Sequence, residues 1–135
     1  MKEKVMKRPK IMIGDYVYIK GYDEKPYQVD GIKFEDDVWY VRLMGVWYEL
    51  TLTKPIPITE EILEKNGFSF NKYGVAQCST YIHDLTINRW MNESVWLLLV
   101  EDTEFGLPQQ QVTICNVHQL QQALRLFGTL KEIEL

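Results

Sequence analysis

The tripeptide Val-Trp-Tyr occurs twice in this chain, at 38–40 and at 46–48, and Met44-Gly45 lies between the two copies. Aromatic and β-branched side chains favour strands, and a glycine between two such runs permits a tight reversal. The repeat therefore predicts a β-hairpin. More than half of the aromatic residues fall between Tyr16 and Tyr48, which is typical of a small, curled antiparallel sheet.

Four strands are predicted in this first third, at about 16–20, 27–33, 38–43 and 46–53, with polar turns between them. In the fourth strand, period-two alternation places Val46 and Tyr48 on one face and Trp47 and Glu49 on the other. This alternation is the period of a β-strand.

The rest of the chain predicts a connector, a short helix and a second lobe. Two prolines at 55 and 57 should take residues 54–58 out of the sheet, because proline donates no ladder hydrogen bond. Thr59 is a natural N-cap, and Asn66-Gly67 is a natural helix stop. Further strands are predicted at about 68–73, 77–88, 95–101 and 111–115.

A second helix is predicted after Asn116, with Gln119 able to complete a capping box. Its apolar residues recur at helical spacing, and the residues between them form a polar side. The apolar set is Val117, Leu120, Leu124 and Phe127, and the polar set is His118, Gln121, Gln122 and Arg125. This pattern is typical of an amphipathic helix lying on a sheet.

The predicted fold class is α+β. A small SH3-like antiparallel sheet is expected over 11–53, a connector and short helix over 54–67, and a second antiparallel sheet over 68–135 with the C-terminal helix packed on it. The second part should form one compact unit with the barrel. Residues 1–10, with five Lys or Arg against one Glu, are expected to be a flexible basic tail.

Composition narrows the class of protein. With 46% hydrophobic residues and a net charge of -4, the chain can bury a core and should not attract nucleic acid in bulk. No apolar run has the length of a signal peptide core or a membrane helix. A cytoplasmic location is therefore expected, with both cysteines present as thiols.

Three stretches carry a resemblance over nearly the whole chain: Gly-Asp-Tyr-Val at 14–17, Pro-Ile-Pro-Ile-Thr-Glu-Glu-Ile-Leu-Glu-Lys-Asn-Gly-Phe at 55–68, and Asn-Val-His-Gln-Leu-Gln-Gln-Ala-Leu-Arg-Leu at 116–126. In this order they resemble a group of small uncharacterised proteins of gut Bacteroidales and their prophages. The resemblance implies a phage or mobile-element context and transfers no activity or site residue. Separately, the first stretch is similar in style to SH3-like small barrels.

Chemical sites are weakly indicated. Cys78, His83, Cys115 and His118 could in principle form a Cys2His2 zinc site, but their spacing favours buried thiols and ordinary histidines. Ser79, His83 and Asp84 are close in sequence but lack the strained elbow of a catalytic nucleophile. No catalytic residue, metal or cofactor is therefore predicted, and an enzyme is the third choice.

The aromatic residues of the first sheet are the main candidates for function, because they outnumber what a small barrel interior can hold. Exposed aromatic clusters usually bind partners. The alternative is that the second lobe covers them as a core between the lobes. The candidates for protein binding are Tyr16, Tyr18, Tyr22, Trp39, Tyr40 and Trp47.

The expected function is that of a non-enzymatic accessory protein of a phage or mobile element, which binds another protein through this aromatic sheet. The alternative is nucleic-acid binding, in which the basic tail contacts phosphates and the sheet aromatics stack on bases. The tail residues for that role are Lys4, Lys7, Arg8 and Lys10. The sequence leaves the partner's identity and homo-oligomer formation open.

Overall fold

The computed structural model describes residues 10–22, 24–80, 83–102, 110–129 and 131–135, with only the backbone of Glu93. The chain forms two compact units, one ending at Lys54 and the other beginning at Pro55. Each unit contains a five-stranded antiparallel sheet, and the second unit also contains the C-terminal helix. The predicted α+β class is therefore confirmed.

The strands of the first unit lie in the order β4-β3-β2-β1-β5. A 3-10 turn at Leu50–Leu52 follows β4, after which β5 pairs with β1. The prediction of one continuous strand over 46–53 is wrong, because the chain turns a corner there and the Thr53 hydroxyl donates to the Leu50 carbonyl over 2.7 Å. The strands are β1 (Tyr16–Ile19), β2 (Tyr27–Glu35), β3 (Val38–Leu43), β4 (Val46–Glu49) and β5 (Thr53–Lys54).

Two tight turns set the register of this sheet. Asp36 and Asp37 between β2 and β3, and Met44 and Gly45 between β3 and β4, all have positive φ angles. Positive φ at both central residues is the geometry of the two-residue hairpin turn that suits twisted strands. The repeated Val-Trp-Tyr tripeptide therefore begins each strand that follows such a turn.

The core of the first unit lies on one side of its sheet, here called the inner face. Five aliphatic side chains that are 1% to 3% exposed form it, and they alternate along the strands with residues that point to the other side, the outer face. The five are Val17, Ile19, Val29, Val41 and Leu43. No α-helix occurs between residues 10 and 54 in the described part of the unit.

The second unit begins with α1 (Glu60–Lys65) and continues into strands in the order β10-β9-β8-β7-β6. The segment predicted as one strand at 77–88 is two strands, because the chain reverses between them and Thr80 N donates to His83 O over 2.7 Å. The remaining elements are β6 (Ser69–Phe70), β7 (Ala76–Ser79), β8 (His83–Trp90), β9 (Asn92–Asp102), β10 (Gln110–Ile114) and α2 (Val117–Leu126).

Helix α2 carries the predicted capping box. Asn116 accepts a hydrogen bond from Gln119 N over 3.2 Å, and the Gln119 side chain accepts from Asn116 N over 3.3 Å. The predicted apolar stripe is buried at its first three positions, but His118 and Gln121 are also buried, at 7% and 6% exposure. These two residues of the predicted polar side are therefore buried as well, because the helix is covered over a wider arc than its apolar stripe.

Candidate binding face

Four of the six predicted aromatic residues share the outer face of the first sheet. Alternation with the buried residues of β1 and β3 places Tyr16, Tyr18 and Tyr40 there, and the pairing of Trp47 with Arg42 places Trp47 beside them. The other two lie elsewhere. Trp39 lies on the inner face, with its ring 4.9 Å from that of Phe34, and Tyr22 is 62% exposed in the segment after β1.

A glycine positions Trp47 on this face. The register of β2 against β3 shifts between Val29 and Gly31, which is a β-bulge, and Gly31 then pairs with Arg42. A Cβ atom at position 31 would lie 3.1 Å from Cη2 of Trp47 and 3.2 Å from Cβ of Arg42. The indole therefore reaches across β3 as far as β2, into space that any side chain at position 31 would occupy.

Two cations hold the indole in place. The Lys33 Nζ atom lies 4.5 Å from the centre of the Trp47 ring and 5.4 Å from that of Tyr40, and the Arg42 Cζ atom lies 5.4 Å from the Trp47 ring. Cation–π contacts at exposed sites contribute about 0.5 to 1 kcal/mol each. Trp47 is thus ordered by its neighbours while it remains 39% exposed.

Each of these cations is also matched by a carboxylate. Arg42 Nε lies 2.7 Å from Asp30, and the guanidinium also donates to the Asp30 carbonyl over 3.1 Å. Lys33 lies 3.2 Å from Glu35. Exposed ion pairs of this kind stabilise a fold by little, but they neutralise the surface locally. The aromatic patch around Trp47 is therefore not a basic patch.

A lysine that contacts both an aromatic ring and a carboxylate also occurs at the other edge of the sheet, where β1 pairs with β5. Lys54 Nζ lies 5.6 Å from the Tyr18 ring centre and 4.0 Å from a Glu24 carboxylate oxygen. Burial raises the pKa of the Tyr18 hydroxyl above its usual 10.0, and the nearby Glu24 charge raises this pKa further. Tyr18 is therefore a neutral hydrogen-bonding group at physiological pH.

The sequence reasoning missed the residues that order Trp47, namely Gly31, Lys33, Arg42 and Asp30. Alternation could have found two of them, because Lys33 and Arg42 lie on the same face as Tyr40 and Trp47 once the strands are paired. The sequence gives no sign of the bulge next to Gly31 other than the glycine itself. Its position depends on pairing between strands.

The basic residues proposed for phosphate contact fall at the start of the chain. Lys4, Lys7 and Arg8 lie outside the described residues, and Lys10 is exposed. The structure therefore describes a single member of the predicted set.

The four weak zinc candidates occupy separate elements. Cys78 is half-buried in β7, His83 begins β8, Cys115 is exposed after β10, and His118 is buried in α2. The expectation of buried thiols is therefore wrong, because Cys115 follows the end strand β10 and is exposed. Among the residues that the structure describes, no group of three or more His, Cys, Asp or Glu side chains could hold a metal ion. The hydroxyl of Ser79 donates directly to Asp84 over 2.8 Å, so these two do not form a relay through His83.

A shallow groove of about 220 Å³ lies on the second sheet. Its lining combines a half-exposed tryptophan with apolar and uncharged polar side chains, and it contains no titratable group. The lining residues are Trp90, Leu97, Gln111, Val112 and Thr113. Trp90 in this groove and Trp47 in the first unit are therefore both exposed tryptophans, at 45% and 39%.

Comparison with known proteins adds no relative. No protein-family model matches the chain, and neither the curated proteins nor the solved structures searched include a match. In the described part of the chain, neither α-helix is long and apolar enough to cross a membrane.

Proposed function

We propose that this chain is a non-enzymatic accessory protein that binds another protein through the outer face of its first sheet. The observation that carries the proposal is the state of Trp47, which is ordered over Gly31 by Lys33 and Arg42 and is still 39% exposed. Ordering a large ring before binding lowers the entropy cost of association. Tryptophans in such settings are typical energetic centres of protein interfaces.

The charges on this face favour a protein over a nucleic acid. Binding to a nucleic-acid backbone gains its free energy from cations that displace counterions from phosphates. The cations Lys33 and Arg42 already lie against Glu35 and Asp30, and Glu49 adds a further carboxylate opposite Tyr40. Because its cations are matched by carboxylates, this surface offers phosphates little net attraction.

The wider setting of the proposal has separate supports. The phage or mobile-element context rests on the resemblance alone, and the cytoplasmic location is an expectation that belongs to this proposal. The SH3-like interpretation of the first unit is supported by the strand order and by the 3-10 turn that precedes β5. These three statements remain parts of the proposal.

A matched pair of tryptophan variants tests the binding face. The wild type, Trp47→Ala and Trp90→Ala proteins would each be used to capture partners from the native host, with quantitative mass spectrometry of what is retained. We expect Trp47→Ala to weaken retention of a defined protein by about 30-fold, which corresponds to about 2 kcal/mol. Trp90→Ala, which removes an equally large ring of 45% exposure, should retain it. Equal loss in both variants would contradict the proposal.

A gel-shift titration tests the nucleic-acid alternative. Single- and double-stranded DNA and RNA would be titrated at low and high salt, with the full chain and with a chain lacking residues 1–10. We expect weak binding in every case. Tight, salt-sensitive binding that disappears with the tail would support the alternative and refute our choice.

A further inference from the structure

The groove on the second sheet lies on the face that points away from the buried side chains of that sheet, here called the groove face. Leu97 lies between Trp96 and Leu98, which are 1% and 0% exposed, so alternation along β9 places it on the groove face. Thr113 pairs with Leu97 and shares its face, and Gln111 lies two residues before Thr113 on the same strand. Two neighbouring strands therefore bring one apolar and two polar side chains together.

Trp90, the last residue of β8, adds an aromatic ring to the groove. It follows Asn88 by two residues, and Asn88 pairs with Leu97, so the indole starts diagonally opposite Leu97, within reach of a large side chain. Arg89 points to the other face, where its Cζ atom lies 4.4 Å from the ring of the buried Trp96. The Trp90 side chain is 45% exposed, so part of its ring is free to contact a ligand.

The side chains that line the groove are uncharged. Their polar groups are the Trp90 indole N–H, the Gln111 amide and the Thr113 hydroxyl. Of the strand side chains described on the groove face, the titratable ones are Asp84 and Glu101, which pair with each other near the other end of β8 and β9. Glu101 is about 13 Å from the groove along β9. Because anionic ligands are held mainly by cationic side chains, this lining favours a neutral ligand.

The size of the groove limits the ligand to one small ring. Its volume of about 220 Å³ is several times the roughly 30 Å³ of a water molecule. It is below the range of about 300 to 1,000 Å³ found for pockets that bury most of a drug-sized ligand. Because the groove is shallow, one side of a bound ring would stay in water. The ligand must therefore tolerate water on one side and an aromatic ring on the other.

We propose that this groove binds one ring of a neutral saccharide. A pyranose ring has apolar C–H faces and a rim of hydroxyl groups, so one face would lie against the exposed part of the Trp90 ring. Its hydroxyls both donate and accept, as do the Gln111 amide and the Thr113 hydroxyl. A nucleotide would also stack, but its phosphate finds no cation in the lining. This site goes beyond the proposed function and does not depend on Trp47.

An NMR titration of the full chain tests the ligand class. The probes are the methyl glycosides of glucose, galactose, mannose and N-acetylglucosamine, with adenosine as a neutral aromatic competitor. At least one glycoside should shift the Trp90 indole N–H and Gln111 side-chain amide signals, with a Kd on the order of 1 mM that salt does not change. No shift with any glycoside up to about 20 mM, or tighter binding of adenosine at the same signals, would overturn the proposal.

Three variants test the site with the glycoside that binds best. Trp90→Ala should weaken binding at least about tenfold, and Thr113→Val, which removes the hydroxyl but keeps a side chain that favours strands, about three- to tenfold. Tyr73→Ala removes a 78% exposed ring from the turn between β6 and β7 and should bind as the wild type does. If Trp90→Ala fails to fold, Thr113→Val decides. Unchanged affinity in the groove variants, or equal loss in Tyr73→Ala, would reject the site.

Discussion

Each unit of this molecule contains a tryptophan packed against an arginine, but the two rings have opposite environments. The Arg89 Cζ atom lies 4.4 Å from the ring of Trp96, which is 1% exposed, and the Arg42 Cζ atom lies 5.4 Å from the ring of Trp47, which is 39% exposed. The same local contact thus occurs once in a core and once on a surface. The environment, and not the contact, separates a structural tryptophan from a candidate binding residue.

The two tryptophans differ in exposure because the two sheets are covered differently. In the second unit α1 contacts β6 and α2 contacts β10, and buried residues of both helices join the core. Asn66 also ties the end of α1 to the C-terminal segment through hydrogen bonds with the backbone of Glu134, at 2.9 and 2.7 Å. In the first unit, the residues described between 10 and 54 include no α-helix that could cover the aromatic outer face.

The largest expected effect separates the two tryptophans by stability. Trp96→Ala should lower the free energy of unfolding by about 3 to 5 kcal/mol, because a fully buried ring leaves a cavity. Trp47→Ala should lower it by less than about 1.5 kcal/mol, since the ring is partly solvated and its cation contacts are weak. Urea denaturation followed by circular dichroism measures both. Similar losses of stability in the two variants would contradict the distinction between a buried Trp96 and an exposed Trp47.

A leucine pair on α2 tests whether this helix belongs to the core of the second unit. Leu124→Ala should cost about 2 to 4 kcal/mol, because Leu124 is 1% exposed at the centre of the apolar stripe. Leu126→Ala, at a residue that is 80% exposed on the same helix, should change stability by less than about 0.5 kcal/mol. Thermal melts decide the matter, and an unchanged midpoint for Leu124→Ala would mean that α2 does not pack on the core.

A smaller effect is expected at the glycine beneath Trp47. Gly31→Ala would push the indole away from Lys33 and Arg42 by a few tenths of an ångström, because the added methyl group meets Cη2. The cost in stability should stay within about 1 kcal/mol, since an exposed ring can move. NMR should show that ring-current shifts of the Lys33 side chain diminish. Unchanged shifts would mean that Gly31 does not determine the ring position.

The smallest predicted effect concerns pH. Because the pKa of Tyr18 is raised in the folded state, its stabilising contribution is fully present below the ordinary tyrosine pKa and is lost as pH rises through the folded value. Tyr18→Phe should therefore weaken the decline in stability above pH 10.0. Denaturation series between neutral and alkaline pH test this. An identical decline in the variant would mean that other titrating groups, and not Tyr18, cause the loss of stability at alkaline pH.

The elements that follow from local chemistry could be predicted from the sequence. β3 has the predicted bounds, since a tight turn lies on either side of it. The cap at Thr59 accepts a hydrogen bond from Ile62 N, and Asn116 and Gln119 form their box. In each case the signal and its structural consequence lie within a few residues of one another.

Features that depend on contacts between distant segments could not be predicted in the same way. The corner after Glu49 follows from the return of β5 to β1, and the burial of His118 and Gln121 follows from the packing around α2. At the candidate site, alternation along β3 and β4 places Trp39 and Trp47 on opposite faces of the sheet once the strands are paired. Which of these two faces is the buried one depends on the packing of the folded unit. The bulge that lets Gly31 accommodate Trp47 appears only when β2 and β3 are paired.

The central claim is that the outer face of the first sheet, and not exposure of aromatic residues in general, determines partner binding. A photo-cross-linking amino acid such as p-benzoylphenylalanine, placed at Tyr40 or at Tyr73, tests this directly in the native host. Tyr40 is half-buried on the outer face beside Lys33, whereas Tyr73 is 78% exposed in the second unit. We predict a defined protein adduct from position 40 and none from position 73. Adducts from position 73 alone, or equal adducts from both positions, would contradict the account.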